Sequence, residues 1–182
     1  MNSAHPDADF KQQLVGLIPN LRAFASSLCG NRALADDLVQ ECLMKAWAAQ
    51  DSFQMGTNMK AWAFRILHNH YISFRRKRKR ETEDPDGAQM ESLTTRADQL
   101  DKIYLKDLSR LLMLLPESQR EALILVGAGG FSYEEAADIC GCAVGTIKSR
   151  VNRARAQLAE MMEGDERGNG TGGDFASIAT VP

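Results

Sequence analysis

Apolar residues recur every three or four positions along most of the chain, a period typical of helices that bury one face. The first such stretch runs from Phe10 to Leu28, and Pro19 should bend or split the helix there. Gly30 suits the end of this stretch, and a second helix is predicted at about residues 31–50. The residues expected to point inward on it are Leu34, Leu38, Cys42, Leu43, Ala46 and Trp47.

The second helix places its polar residues on the opposite side. A solvated acidic face would explain them, and so would a docking surface for a basic partner; charge alone does not separate the two. This outward set is Asp36, Asp37, Gln40 and Glu41.

A basic and aromatic helix is predicted after a loop at residues 51–58. Residues 57–80 contain no Asp or Glu and end in the cationic run Arg75 to Arg80. Aromatic rings beside cations are typical of proteins that hold unpaired bases along a phosphate backbone. Packing in the core is the alternative explanation for these rings, and it is the favoured explanation for Trp62. The rings are Trp62, Phe64, Tyr71 and Phe74.

Two breaks in the pattern divide the chain. Residues 81–99 are polar and acidic with a Pro-Asp-Gly turn, as in a flexible linker, and residues 163–182 are rich in glycine and small polar residues, as in a disordered tail. The apolar pattern resumes at residue 100 and is interrupted at Pro116. We therefore predict an all-α protein with two small helical domains at residues 10–80 and 100–162.

The end of the second domain reads as a helix-turn-helix. Ser132 and Glu135 have the spacing of a capping box, which begins a helix, and Gly141 suits the turn that ends it. In the next helix Ile147, Val151, Ala154 and Leu158 should face inward. The remaining face carries donors for phosphates and base edges, which fits DNA binding in the major groove. Its members are Lys148, Ser149, Asn152, Arg153 and Gln157.

Composition and charge limit the functions that the chain could have. The net charge is only −2, but the bases are concentrated in two segments, and local patches attract phosphates. No apolar run could span a bilayer, so we expect a cytoplasmic protein. Neither Cys140-Gly141-Cys142 nor His68-Asn69-His70 has a partner pair for zinc, and no phosphate loop or catalytic motif is present. We therefore expect no metal, no cofactor and no enzymatic activity.

Four segments in order resemble the conserved regions of extracytoplasmic-function sigma factors: DDLVQECLMKAW, MKAWAFRILHNHY, LPESQREALIL and FSYEEAADICGCAVGTIKSRVNRARAQL. Within that family the chain is similar to the EcfG type, the general stress response sigma factors of alphaproteobacteria. The segments ADDLVQE, the FQ-x-GTN loop, EDPDGA and EALILVGAGGFSYEEAA carry this second likeness. The resemblance implies a protein that binds the core of bacterial RNA polymerase and directs it to promoters.

The resemblance also implies roles for individual positions. The acidic face Asp36, Asp37, Gln40 and Glu41 would bind the core polymerase. The minus-ten element would be bound and melted by Phe53, Gln54, Thr57, Asn58, Trp62, Arg65, Asn69, Arg75 and Arg76. The minus-thirty-five element would be read by Thr146, Lys148, Ser149, Arg150, Asn152, Arg153 and Arg155.

Partners follow from the same likeness. It implies promoters with a GGAAC-like upstream element, an anti-sigma factor of the NepR type, and release by a PhyR-type regulator that carries a sigma-like decoy. The chain is not itself expected to be that decoy, because no receiver-like region of alternating strands and helices is present. A stand-alone helix-turn-helix regulator is the alternative, although such proteins are usually dimers and no dimerisation heptads are visible. We expect a monomer when the protein is free.

Overall fold

The computed structural model describes residues 6–54, 56–82 and 101–168, and every regular element within these ranges is helical. Residues 6–82, here the first half, contain α1 (Pro6–Gly16), α2 (Ile18–Cys29), α3 (Arg32–Ala48), a 3₁₀ turn (Gln50–Ser52) and α4 (Met59–Thr82). Residues 101–168, the second half, contain α5 (Asp101–Leu114), α6 (Glu117–Leu123), a π-helical segment (Ile124–Ala128), α7 (Tyr133–Cys140) and α8 (Val144–Gly168). The predicted all-α class is confirmed.

Helix boundaries in the first half follow from local sequence. The predicted long first helix is split at Leu17, and Pro19 lies in the first turn of α2, where its missing N–H costs no hydrogen bond. Gly30 ends α2 in the left-handed conformation, with φ at 66°, and its N–H donates to the carbonyl of Ser26. Asn31 then begins α3 by accepting from the backbone N–H of Leu34 at 2.9 Å.

The second half contains the predicted turn signals and one unpredicted element. Both hydrogen bonds of the Ser132–Glu135 capping box are present, and Gly141 ends α7 with φ at 62°. The unpredicted element is the π-helical segment, whose wider turn is closed by the N–H of Gly129 donating to the carbonyl of Ile124 at 2.7 Å.

Each half buries the apolar face that its sequence pattern predicts, with one error. The residues with at most 2% exposure include Leu21, Phe24, Leu28, Leu38 and Leu67 in the first half, and Leu125, Ile139, Ile147 and Val151 in the second. Trp47 was expected to point inward but is 45% exposed, and its ring lies 6.2 Å from that of Phe10.

The two halves pack against each other, α4 on α7 and α2 on α6. Phe64 of α4 stacks on Phe24 of its own half and meets Phe131 of the second half edge-on, at 4.9 Å between ring centroids. Buried Arg120 of α6 donates to the carbonyl of Leu28 at 3.0 Å. The buried residues of both halves therefore form one hydrophobic cluster. We refer to this packing as the closed arrangement.

Two predicted boundaries fall inside helices. Helix α4 continues to Thr82, past the predicted start of the linker, and α8 continues to Gly168, past the predicted start of the tail. The rest of the predicted linker and tail lies outside the described residues. Within the described ranges, no helix combines the length and the apolar character needed to cross a membrane.

Candidate nucleic-acid interface

Helix α8 has one buried and one exposed face over its first three turns. Ile147, Val151 and Ala154 are buried, which fixes the rotation of the helix on the second half. Lys148, Asn152 and Arg153 are therefore exposed, and Thr146, Ser149, Arg150 and Arg155 are half-buried beside them. All the residues predicted to read the minus-thirty-five element lie on this one helix.

Contacts within the second half hold some of these side chains. The hydroxyl of Ser149 donates to the carbonyl of Thr146 at 2.9 Å. The ammonium of Lys148 lies 5.7 Å from the ring centroid of Tyr133, and the guanidinium of Arg150 lies 3.8 Å from the sulfur of Cys142. Asn152 and Arg153 are exposed on the same helix, where a base edge could meet them.

Two of the predicted minus-ten residues are packed in an aromatic cluster. Phe53 is 8% exposed, and its ring lies 5.1 Å from that of Trp62 and 5.8 Å from that of Phe10. Trp62 in turn meets Phe10 edge-on at 6.0 Å. The cluster fixes both ends of the loop between the 3₁₀ turn and α4, so buried Phe53 and half-buried Trp62 position that loop.

The loop itself presents polar groups. Gln54, Thr57 and Asn58 are exposed, and the hydroxyl of Thr57 donates to the carbonyl of Gln54 at 2.7 Å. Asn58 accepts from the N–H of Ala61 at 3.1 Å, and its side-chain amide donates to Glu135 of the second half at 2.6 Å. The second half thus contacts part of the loop predicted to bind the minus-ten element.

The polar face of α4 also lies toward the second half. Arg65, Asn69, Arg75 and Arg76 are exposed, and Arg75 forms an ion pair with Glu117. Asn69, Arg75 and Arg76 line a cleft of about 530 Å³ between the halves. Its other lining residues include His68, Ile72 and Ser73 of α4 and Glu117, Ser118, Glu121, Cys140 and Arg150 of the second half.

The suggestion that the α4 aromatics hold unpaired bases is wrong for two of them. Phe64 and Tyr71 are buried, and the Tyr71 hydroxyl donates to the carbonyl of Leu28 at 3.1 Å. Both rings lie at the spacing that faces the core, so helical periodicity, rather than their closeness to cations in sequence, decides their role.

The acidic face of α3 is solvent-accessible as predicted. Asp37, Gln40 and Glu41 are exposed, and Asp36 is partly covered by an ion pair with Arg22 at 3.0 Å. Sequence reasoning missed two apolar neighbours on this helix, Met44 at 66% exposure and Trp47 at 45%. Helix α3 therefore offers a surface in which apolar side chains adjoin carboxylates, a composition suited to a protein partner.

The cysteines are reduced, and their environments differ. Burial raises the pKa of the Cys42 thiol to about 12 and raises that of Cys140 as well, so both are protonated at neutral pH. The structure also brings Cys140 together with His68 and Glu121, with one potential ligand atom from each lying within 4.8 Å of the others. Sequence reasoning missed this group because its members are far apart along the chain and only their contact reveals it.

Comparison with known proteins agrees with the four segments identified above. The chain matches the Sigma-70 region 2 family over residues 16–81 and the Sigma-70 region 4 family over residues 105–158. It is 54% identical over 152 residues to the extracytoplasmic-function RNA polymerase sigma factor EcfG of Rhodopseudomonas palustris, covering 84% of each chain.

Two solved structures are similar to the whole arrangement. One is the sigma factor RpoE of Bartonella quintana in complex with the anti-sigma factor NepR, with 56% identity and a TM-score of 0.77 over 85% of this chain and 97% of that one. The other is CnrH in complex with the cytosolic domain of CnrY, with 28% identity and a TM-score of 0.66 over 90% and 92% of the two chains. The chain therefore belongs to the extracytoplasmic-function RNA polymerase sigma factors and is similar to their EcfG type.

Proposed function

We propose that the two halves of this sigma factor have separate binding roles. They would correspond to domains at residues 10–80 and 100–162. The first half would bind the core polymerase and the minus-ten element, and the second half would read the minus-thirty-five element. The observation that carries this proposal is the separation of two exposed surfaces of opposite charge, the acidic side of α3 and the basic side of α8. The polymerase would carry out the chemistry, in the cytoplasm, and this chain would supply promoter recognition.

Core binding is assigned to Asp36, Asp37, Gln40 and Glu41. Three of these side chains are exposed, and Met44 and Trp47 add apolar area on the same helix. Complementary charge accelerates association, whereas burial of large apolar side chains holds a complex together. The combination favours a protein partner over nucleic acid for this surface.

Promoter recognition is assigned to residues of α8 and to residues of α4 and the loop before it. On α8 the residues are Thr146, Lys148, Ser149, Arg150, Asn152, Arg153 and Arg155. A good bidentate contact from Arg153 or Asn152 to a base edge would contribute about 1–3 kcal/mol of discrimination. In the first half the minus-ten element is assigned to Gln54, Thr57, Asn58, Arg65, Asn69, Arg75 and Arg76, with Phe53 and Trp62 positioning the loop.

The closed arrangement must open before both promoter elements can be bound. Elements centred about 25 base pairs apart are separated by about 85 Å of B-form DNA, at 3.4 Å per base pair. A compact globule of this chain length has a radius of gyration of about 16 Å and a diameter on the order of 40 Å. Asn58 and Arg75 are moreover bonded to Glu135 and Glu117 of the second half. The closed form is therefore assigned to the free or inhibited protein.

An anti-sigma factor would select the closed arrangement. The match to RpoE in complex with NepR covers 85% of this chain and therefore includes residues of both halves. This supports a NepR-type partner here. A ligand that binds one of two conformations better shifts the population toward it. The inhibitor would thus act by favouring the contacts between the halves.

The test is transcription in vitro from a GGAAC-type promoter by purified bacterial core polymerase, with and without this chain. We expect initiation only when the chain is present. Silence combined with tight binding of the chain alone to duplex DNA would instead indicate a stand-alone helix-turn-helix regulator.

Variants separate the two assigned surfaces. Arg153→Ala should reduce promoter-directed transcription by about 5- to 150-fold, which corresponds to the loss of about 1–3 kcal/mol of base contact, and should leave core binding intact. The double variant Asp37→Asn, Glu41→Gln should instead weaken core binding and leave binding of the chain to promoter DNA unchanged. Unaltered core affinity in the double variant would refute the docking assignment.

A further inference from the structure

Three metal-ligating side chains converge where the two halves meet. His68 comes from α4, Glu121 from α6 and Cys140 from α7, and one ring nitrogen, one carboxylate oxygen and the sulfur all lie within 4.8 Å of one another. His68 and Glu121 are 6% and 5% exposed. No two of the three residues are neighbours in sequence, so the closed arrangement itself assembles the group.

The polar atoms of this group contact one another, and one ring nitrogen of His68 has no partner among the described residues. The Nε2 of His68 lies 2.9 Å from the Oε1 of Glu121, and the side chain of Cys140 is hydrogen-bonded to Glu121, whereas the Nδ1 of His68 has no hydrogen-bond partner within the described ranges. Buried polar groups in native proteins are nearly always satisfied, and an unpaired one calls for an explanation such as an ion. A buried imidazole with an unpaired nitrogen, beside a buried carboxylate and a thiol, fits a ligand set without its metal.

We propose that His68, Glu121 and Cys140 bind a divalent transition metal, with Zn²⁺ the best fit. Zinc accepts imidazole nitrogen, thiolate and carboxylate together, and bonds of about 2.0–2.3 Å place tetrahedral ligands about 3.3–3.7 Å apart. The present separations need changes on the order of 1 Å to reach those values. The surfaces assigned to promoter DNA and to the polymerase do not require this ion.

The surroundings can complete the coordination. All three residues line the cleft of about 530 Å³, which leaves room for a water molecule as the fourth ligand. Nearby Arg150 contacts the sulfur of Cys142. On binding, the Cys140 thiol would lose its proton to solvent and a sulfur–metal bond would form, so affinity should rise with pH.

The metal would join the two halves. His68 belongs to the first half and the other two ligands belong to the second, so an ion held by all three adds a bond across the interface that is lost when the halves separate. Zinc would then raise the ratio of closed to open molecules by a factor of one plus its concentration over its dissociation constant.

The test uses Co²⁺ as a spectroscopic probe for the full-length chain, kept reduced, followed by competition with Zn²⁺. We expect a sulfur-to-cobalt absorption band that Zn²⁺ removes. Cys140→Ser should abolish the band, and Glu121→Gln should weaken Co²⁺ binding at least about tenfold, since even loss of groups that merely support a metal ligand costs 10–100-fold. The matched control is Cys142→Ser, two residues away, which should leave band and affinity unchanged.

Thermal unfolding gives a second readout that needs neither polymerase nor promoter. Zn²⁺ should raise the Tm of the unaltered chain and of Cys142→Ser, should raise that of Glu121→Gln less, although Gln keeps the shape of the side chain, and should not raise that of Cys140→Ser. Absence of a sulfur band in the unaltered chain would overturn the proposal. A band that survives Cys140→Ser or disappears in Cys142→Ser would overturn it too, and neither result would affect the assigned sigma-factor surfaces.

Discussion

The closed arrangement can be weakened at a single lysine without touching the surfaces assigned to DNA or polymerase. Lys60 of α4 donates to the carbonyl of Gly129 at 2.6 Å and lies 4.8 Å from the ring centroid of Phe131, both in the second half. Lys60→Met removes the charge and the donor but keeps most of the apolar stem. The closed state should therefore lose stability relative to the open state, while each half remains folded.

The magnitude follows from the two contacts. A hydrogen bond from a charged donor contributes about 1.5–3 kcal/mol, and the half-buried position of Lys60 favours the lower end. A cation–π contact adds about 0.5–1 kcal/mol. A total of about 2 kcal/mol corresponds to a shift of about 30-fold in the ratio of closed to open molecules.

The assay is promoter-directed transcription at limiting sigma factor. An apparent affinity is reduced by the fraction of molecules in the competent state, so a larger open fraction should lower the half-saturating concentration by up to about 30-fold. Lys60→Arg, which retains a charged donor, should behave more like the original chain. The control Lys45→Met removes a lysine whose partner, His70, lies in the same half. An unchanged or higher half-saturating concentration for Lys60→Met would refute the link between closure and inhibition.

Four local features give further predictions. Gly129→Ala should destabilise the fold by about 1–3 kcal/mol, because a Cβ there would lie 2.5 Å from a backbone oxygen; chemical denaturation measures this, and an unchanged midpoint would contradict it. Ser132→Ala should cost about 1 kcal/mol through loss of the capping box, seen as a lower Tm, whereas Ser132→Asp, which can still cap, should retain most of it. Burial and then the Lys45 ammonium hold the pKa of His70 below its ordinary 6.5, so its contribution to stability is complete above that pH and is lost as the pH falls through the folded pKa. Lys45→Met should raise that pKa in an NMR titration, and a constant value would show that burial alone is responsible. Cys42, whose pKa is about 12, should resist alkylation at pH 8 until the protein unfolds; rapid labelling of the native chain would disprove its burial.

The candidate surfaces were predictable from the sequence wherever one helix carries them. The basic face of α8 and the acidic face of α3 each depend on a single helical period, so burial of Ile147 or Leu38 fixes which residues are exposed. The same reasoning failed for Trp47 because it lies at the edge of the apolar stripe, where only the neighbouring helices decide between burial and solvent.

The sequence by itself determined the helices and their ends. Caps, left-handed glycines and the apolar period involve residues at most a few positions apart, so Asn31, Ser132 and Gly141 act within their own turns. The tertiary structure alone decided that the halves close on each other and that Asn58 meets Glu135. It also decided that His68 and Cys140 come together, each having lacked a partner in its own segment. Such contacts depend on which faces of distant helices pack together. The fit between the two surfaces decides this, and no local pattern of residues predicts it.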